Sequence, residues 1–338
     1  MNSAERVIAA LELRVPDRVP VLSQIGDHAG IVTGLTYDTM YSDPYKAAEA
    51  HLQALDEYKY DVVTIQVEPS WPIAEACGAI VTYPPNKNPW ITDYIVKDRR
   101  DLENLNVPDF NACKSSWVMI EGTRILAQRA NVPVAAYAPG PWTLSLQLMP
   151  YATLIPLTIK DRNFVQCLIE KATEIIIAYG RMLKEAGASM FIICEHDAQM
   201  VSPWDFKELS INHLSPILDV FNQNILHVCG EISEHLRSNA QALRELRKLN
   251  MISIGSEVNL VDIKTWFKGV IGIAGNIDHL NLLPLGKPEE VEEACRRAIE
   301  QGNPDGGYML AAGCEVASDT PSLNVKTMVE SAARYGAY

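Results

Sequence analysis

Basic residues are scarce in this chain. It has 29 Lys and Arg against 42 Asp and Glu, a formal net charge of −13. That balance disfavours a nucleic-acid partner, which would want a basic face. Long apolar runs are missing too, and no stretch reaches the length needed to span a bilayer. Residues 1–19 are charged throughout and lack an apolar centre, which is not the pattern of a secretory signal. The seven cysteines have no disulfide-like spacing. Reduced thiols and a cytoplasmic location are therefore expected. Internal repeats and low-complexity linkers are lacking as well. What remains is ordinary globular material, 48% hydrophobic and 21% charged, enough to bury a full core. A length of 338 residues suits one large α/β unit, and a single domain over 1–338 is expected.

Eight short segments rich in Val, Ile, Ala and small residues recur along the chain. They are 18–24, 61–67, 132–137, 189–194, 225–229, 251–255, 270–274 and 308–312. Several are apolar almost throughout, as parallel strands covered on both faces are. Helical stretches follow them, for example 161–186, 203–222 and 288–301. Ser202-Pro203 opens one of these as an N-cap followed by an N1 proline. Eight strands alternating with helices predict a (β/α)8 TIM barrel, with an N-terminal helix over 3–13. Residues 79–83 and 90–96, separated by a Pro/Asn turn, read as a β-hairpin inserted after strand two.

The stretch Ile225-Leu226-His227-Val228-Cys229-Gly230 carries the chemistry. On a strand, residues two apart share a face, so His227 and Cys229 point the same way. A second thiol, Cys314, ends the small-residue strand over 308–312. One imidazole and two thiols make a three-ligand set with a fourth place open, the pattern of a catalytic zinc site. A buried cysteine is also a common small hydrophobe. It is the shared barrel rim that favours a site, and cysteines 77, 113, 167, 194 and 295 read as packing.

In such barrels the working residues stand at strand C-termini and in the loops beyond. Those positions hold Gln24, Asp27, His28, Gln66, Glu68, Tyr137, Glu195, Asn276 and Asp278. Gln24, Gln66, Tyr137, Glu195 and Asn276 are expected to contact substrate, and Glu257 is a candidate fourth ligand. Trp71, Trp90 and Trp142 could supply apolar walls. No arginine stands among the rim positions, which favours a small neutral substrate over a sulfonate or polycarboxylate.

Several motifs are familiar. Glu5-Arg6-Val7-Ile8-Ala9-Ala10-Leu11, Pro16-Asp17-Arg18-Val19-Pro20-Val21, Leu226-His227-Val228-Cys229-Gly230, Gly275-Asn276-Ile277-Asp278 and Gly313-Cys314-Glu315-Val316 resemble the uroporphyrinogen decarboxylase superfamily over essentially the whole chain. The His-x-Cys with a distant Cys is similar to the zinc signature of its cobamide-dependent methyltransferase branch. The resemblance implies a (β/α)8 barrel with zinc on His227, Cys229 and Cys314. It also implies a cobamide carried by a separate corrinoid protein. The decarboxylase branch holds its polycarboxylate substrate with arginines after strand one, whereas this loop is Gln24-Ile25-Gly26-Asp27-His28-Ala29. In the methyltransferase branch an acid stands just past strand six. Here Gly255-Ser256 takes that place and Glu257 is shifted by two.

The resemblance thus implies a corrinoid-dependent methyltransferase. Two directions are open. The chain could take methyl from a methoxylated donor (O-demethylation) to Co(I), or pass methyl from methyl-cobalt to a thiol of the coenzyme M type. The missing arginines favour the first. A decarboxylase and a non-catalytic binding barrel are the remaining alternatives.

Overall fold

The computed structural model describes residues 1–22, 24–66 and 70–338. Seven parallel strands form the main sheet: β1 (Val21–Leu22), β3 (Ala135–Pro139), β4 (Met190–Cys194), β5 (Asn224–Val228), β6 (Met251–Ile254), β7 (Gly272–Ile277) and β8 (Tyr308–Ala312). β1 pairs with β8, and the order runs on through β7, β6, β5 and β4 to β3. The remaining strand, β2, is reduced to residues 62–63. Val62 bridges Leu22 of β1, and Val63 bridges Val134 beside β3, both parallel. These bridges close the ring into the expected (β/α)8 barrel. The expectation of a strand over 61–67 was too long. Its residue 67 lies outside the described residues, as does Glu68.

Side chains alternate between two cores, as the period of a strand requires. Tyr137, Ile192, Ile225, Met251, Ala274 and Met309 fill the barrel interior. Ala136, Ile193, Leu226, Ile252, Ile273 and Leu310 face outward against the helices. The N-terminal helix Ser3–Leu11 begins with a capping box between Asn2 and Glu5. Its Val7, Ala10 and Leu11 join the interior cluster and plug one end of the barrel. An ion network pins it there. Buried Asp61 takes Arg6 at 2.8 Å, Arg18 at 2.9 Å and the β1 amide of Val21 at 2.9 Å.

The insertion after β2 contains the expected hairpin, Ile80–Thr82 paired antiparallel with Trp90–Asp93. No helix among the described residues is long and apolar enough to cross a membrane.

Candidate metal centre

Parallel pairing sets the site. In the β5–β6 register His227 lies beside Ser253, and in the β4–β5 register beside Cys194. Ile225 and His227 therefore point into the barrel, and Cys229 follows just past the strand end. Cys314 stands two residues past β8. One ligand atom from each of His227, Cys229 and Cys314 lies within 4.8 Å of the others.

The donor set fits zinc. The two sulfurs are 3.7 Å apart. A tetrahedral ion with Zn–S bonds of about 2.3 Å would have an S···S edge of about 3.8 Å. The imidazole is only 3% exposed, and its Nδ1 lies 3.0 Å from Ser253 Oγ. Nε2 is buried and has no partner. A buried unpaired nitrogen is costly, and a metal ion would satisfy it. The thiols hydrogen-bond to one another. Cys314 is held well below its ordinary value by Cys229 and by His227, whereas Cys229 is pushed far up by that same contact and by burial.

Gln24 has a left-handed backbone, φ 47°, at the turn leaving β1. Its amide donates to Ser253 Oγ at 3.1 Å and lies 3.5 Å from His227 Nδ1. It therefore orients the ligand. Sequence reasoning missed Ser253. Its signal is a lone hydroxyl on an interior position of the apolar strand Met251-Ile252-Ser253-Ile254. His279 was missed as well. It lies close enough to lower Cys314 electrostatically, and its Nδ1 is buried.

The other expected groups are placed differently. Glu257 is exposed and not in the ligand cluster. Its carboxylate lies over Gly255, near the Cys229 backbone. Glu195 is fully buried beneath the helix Pro141–Leu148. Its two oxygens accept the Trp142 and Thr143 amides at 3.1 and 2.9 Å. It anchors that helix N-terminus. Gly140 makes this possible, since a Cβ there would come 2.2 Å from the Glu195 carboxyl carbon.

Asn276 gives its amide to the carbonyls of Gly255 and Val258 at 3.0 and 2.7 Å, fixing the loop after β6. Gln66 donates to Asp27 at 2.8 Å and to Tyr41 at 2.6 Å. Trp142 is fully buried and donates to the Asp197 carbonyl at 3.1 Å, so it belongs to the core. Trp71 packs against the core, and Trp90 sits in the hairpin beneath Lys87. Tyr137 remains a free donor. It is buried inside the barrel, its hydroxyl has no partner, and burial and the charges of Cys194, Cys314 and Glu315 push its pKa up.

Comparison with known proteins finds relatives along nearly the whole chain. The sequence profile of the uroporphyrinogen decarboxylase (URO-D) family matches residues 2–335. A methylcobamide:CoM methyltransferase, MtaA of Methanosarcina barkeri, is 26% identical over 346 residues, 98% of this chain and 97% of that protein. MtbA of Methanosarcina acetivorans, also a methylcobamide:CoM methyltransferase, is 26% identical over 259 residues, 74% of this chain and 72% of its own. A uroporphyrinogen decarboxylase of Xanthomonas oryzae is 23% identical over 362 residues, 99% of both. A solved methyltransferase from Methanosarcina mazei superposes with a TM-score of 0.89 at 22% identity, covering 99% of both chains.

Proposed function

Because the chain belongs to the uroporphyrinogen decarboxylase family, and is a methyltransferase by its relatives, we propose that it passes a methyl group from a methylated cobamide to the sulfur of a thiol. The observation that carries this reading is the trio His227, Cys229 and Cys314, with Nε2 unpartnered and the sulfurs at a tetrahedral edge distance. Those three residues would hold zinc and leave one place open. Zinc bound there supplies a Lewis acid that favours the thiolate form of a thiol.

The chain's own residues do the rest. Ser253 and Gln24 hold the imidazole with Nε2 facing the thiols. Asn276 fixes the loop beside the site. Tyr137 offers an unengaged hydroxyl from the barrel interior. In this reading the cobamide is carried by a separate corrinoid protein.

A decarboxylase role fits poorly, since no arginine follows β1 to receive a polycarboxylate. A methoxylated donor, favoured by the sequence, gains no particular support from the site. The thiol direction agrees with the relatives named methylcobamide:CoM methyltransferases. The test uses zinc-loaded protein with methylcobalamin and a set of small thiols, followed by corrin absorbance. Thiol-dependent demethylation supports the reading. Methylation of Co(I) by methoxy compounds, with no thiol reacting, overturns it.

A further inference from the structure

The two cysteine ligands come from strands that are not neighbours. In the sheet order β6 and β7 stand between β5 and β8. Three strand spacings amount to about 14 Å along the sheet. Even so, the sulfurs of Cys229 and Cys314 are 3.7 Å apart. Inward-pointing side chains cover part of that span. The backbones that carry them meet at the turn leaving β6, Gly255-Ser256.

Both cysteine loops pack on that turn through backbone atoms. On one side the Gly255 amide donates to the Val228 carbonyl at 3.3 Å. This carries the β5–β6 pairing one residue past the strands and sets Gly255 beside Cys229. A Cβ on Gly255 would come 2.9 Å from the Gly230 nitrogen and 3.2 Å from the Cys229 Cα. It would also come 2.6 Å from the Glu257 carboxylate, which ends an exposed side chain and can swing away. On the other side Gly313 reaches past β7. A Cβ on it would come 2.6 Å from the Ser256 nitrogen and 3.3 Å from the Gly255 carbonyl carbon.

Neither Gly255 nor Gly313 has a left-handed backbone. Conformational freedom is therefore not what these positions need; they need the absence of a side chain. The turn is also held in place. Asn276 donates to the Gly255 and Val258 carbonyls at 3.0 and 2.7 Å, and the Gly313 amide donates to the Ile277 carbonyl at 2.7 Å.

Resting on the metal reading above, we propose that Gly255 is a positioning residue for the metal ligands. Its bare backbone is the spacer between the two thiol-bearing loops. Cys229 with Gly230 packs on one side of it, and Gly313 with Cys314 on the other. Two Zn–S bonds in a tetrahedral site span about 3.8 Å between sulfurs, so the thickness of this spacer sets whether one ion reaches both. A methyl group on Gly255 pushes the Cys229 backbone away from Gly313, and the sulfurs separate.

Gly255→Ala tests this. The metal-free variant and parent are compared for zinc affinity, by competition with a chelating indicator, and for the absorption spectrum with Co(II). Cobalt takes the same donor set more weakly than zinc. Its thiolate charge-transfer bands report how many sulfurs bind, and its ligand-field bands report tetrahedral geometry. The parent should show a tetrahedral ion with two thiolates. Gly255→Ala should lose about 10–100-fold in zinc affinity, with weakened charge transfer. Asp61→Ala, which weakens the fold away from the site, should keep the parental spectrum. If Gly255→Ala does not fold, Asn276→Ala decides. It frees the Gly255 carbonyl without adding a clash, and should cost about tenfold in zinc affinity and alter the cobalt spectrum. Parental affinity and spectrum in folded Gly255→Ala, or in Asn276→Ala where that variant decides, overturn the spacer and leave the metal centre standing. If the parent itself binds neither ion, the metal reading falls, and the spacer with it.

Discussion

His227 Nδ1 lies 3.0 Å from the Ser253 hydroxyl, across one parallel register of the sheet. The contact fixes the ring so that Nε2 faces the two thiols. Groups that orient a metal-bound histidine typically change metal affinity by about 10–100-fold when removed. Ser253→Ala should weaken zinc binding by about that factor, measured by competition with a chelating indicator. Its melting temperature without metal should stay near that of the parent. Unchanged affinity would show that the ring is held by other means.

Cys314→Ala should lose zinc and activity while keeping the barrel. Cys314 lies beyond the end of β8 and outside the two apolar cores. Elemental analysis should fall from about one zinc per chain to little. Circular dichroism and the unfolding midpoint of the metal-free variant should match metal-free parent protein. An aggregated or unfolded variant would make the centre structural.

Asp61→Ala should destabilise the fold without touching the site. The carboxylate is fully buried and holds Arg6, Arg18 and the Val21 amide. Removing one member of a buried ion network leaves uncompensated charge and typically costs about 3–5 kcal/mol. Denaturant unfolding should show that loss, while zinc affinity of the folded fraction stays the same. A change under about 1 kcal/mol would mean the arginines find solvent instead.

His51 gives a pH signature. It is completely buried, and burial depresses its pKa to about 4 against an ordinary 6.5. The folded protein therefore keeps it neutral while the unfolded chain protonates it below pH 6.5. Its contribution to stability is complete above that pH and is lost as pH falls toward 4. The window is about 2.5 pH units, or about 3 kcal/mol in full. Between pH 7 and pH 5 the parent should lose about 2 kcal/mol relative to His51→Leu. Parallel stability curves for the two proteins would refute a buried neutral imidazole.

The sequence made the site legible where chemistry and strand period coincide. His227 and Cys229 lie two apart on an apolar strand, and Cys314 ends another, so their convergence follows from barrel geometry alone. β8 was placed at its observed bounds for the same reason. The contacts of Glu195 were not legible, because nothing local shows that a helix N-terminus from another strand's loop will sit on its carboxylate. Those of Asn276 were hidden for the same reason, as its carbonyl partners belong to the neighbouring loop. Ser253 passed unnoticed because one hydroxyl in a strand has many uses. Strand two was overdrawn, since its apolar run continues past the two residues that pair.

Those two residues have a consequence for how the ring breathes. β2 joins its neighbours through single bridges at Leu22 with Val62 and at Val63 with Val134, whereas β5 through β8 are joined by continuous ladders. Local opening starts where the fewest backbone bonds must break together. Amide hydrogen exchange near Val62 and Val63 should therefore outrun that of Leu226, Ile252 and Leu310. In a ring of eight, β2 stands diametrically across from β6, the strand of Ser253. The metal ligands stand on β5 and β8, three and two strands from that seam, so opening there breaks no backbone ladder of the strands that carry them.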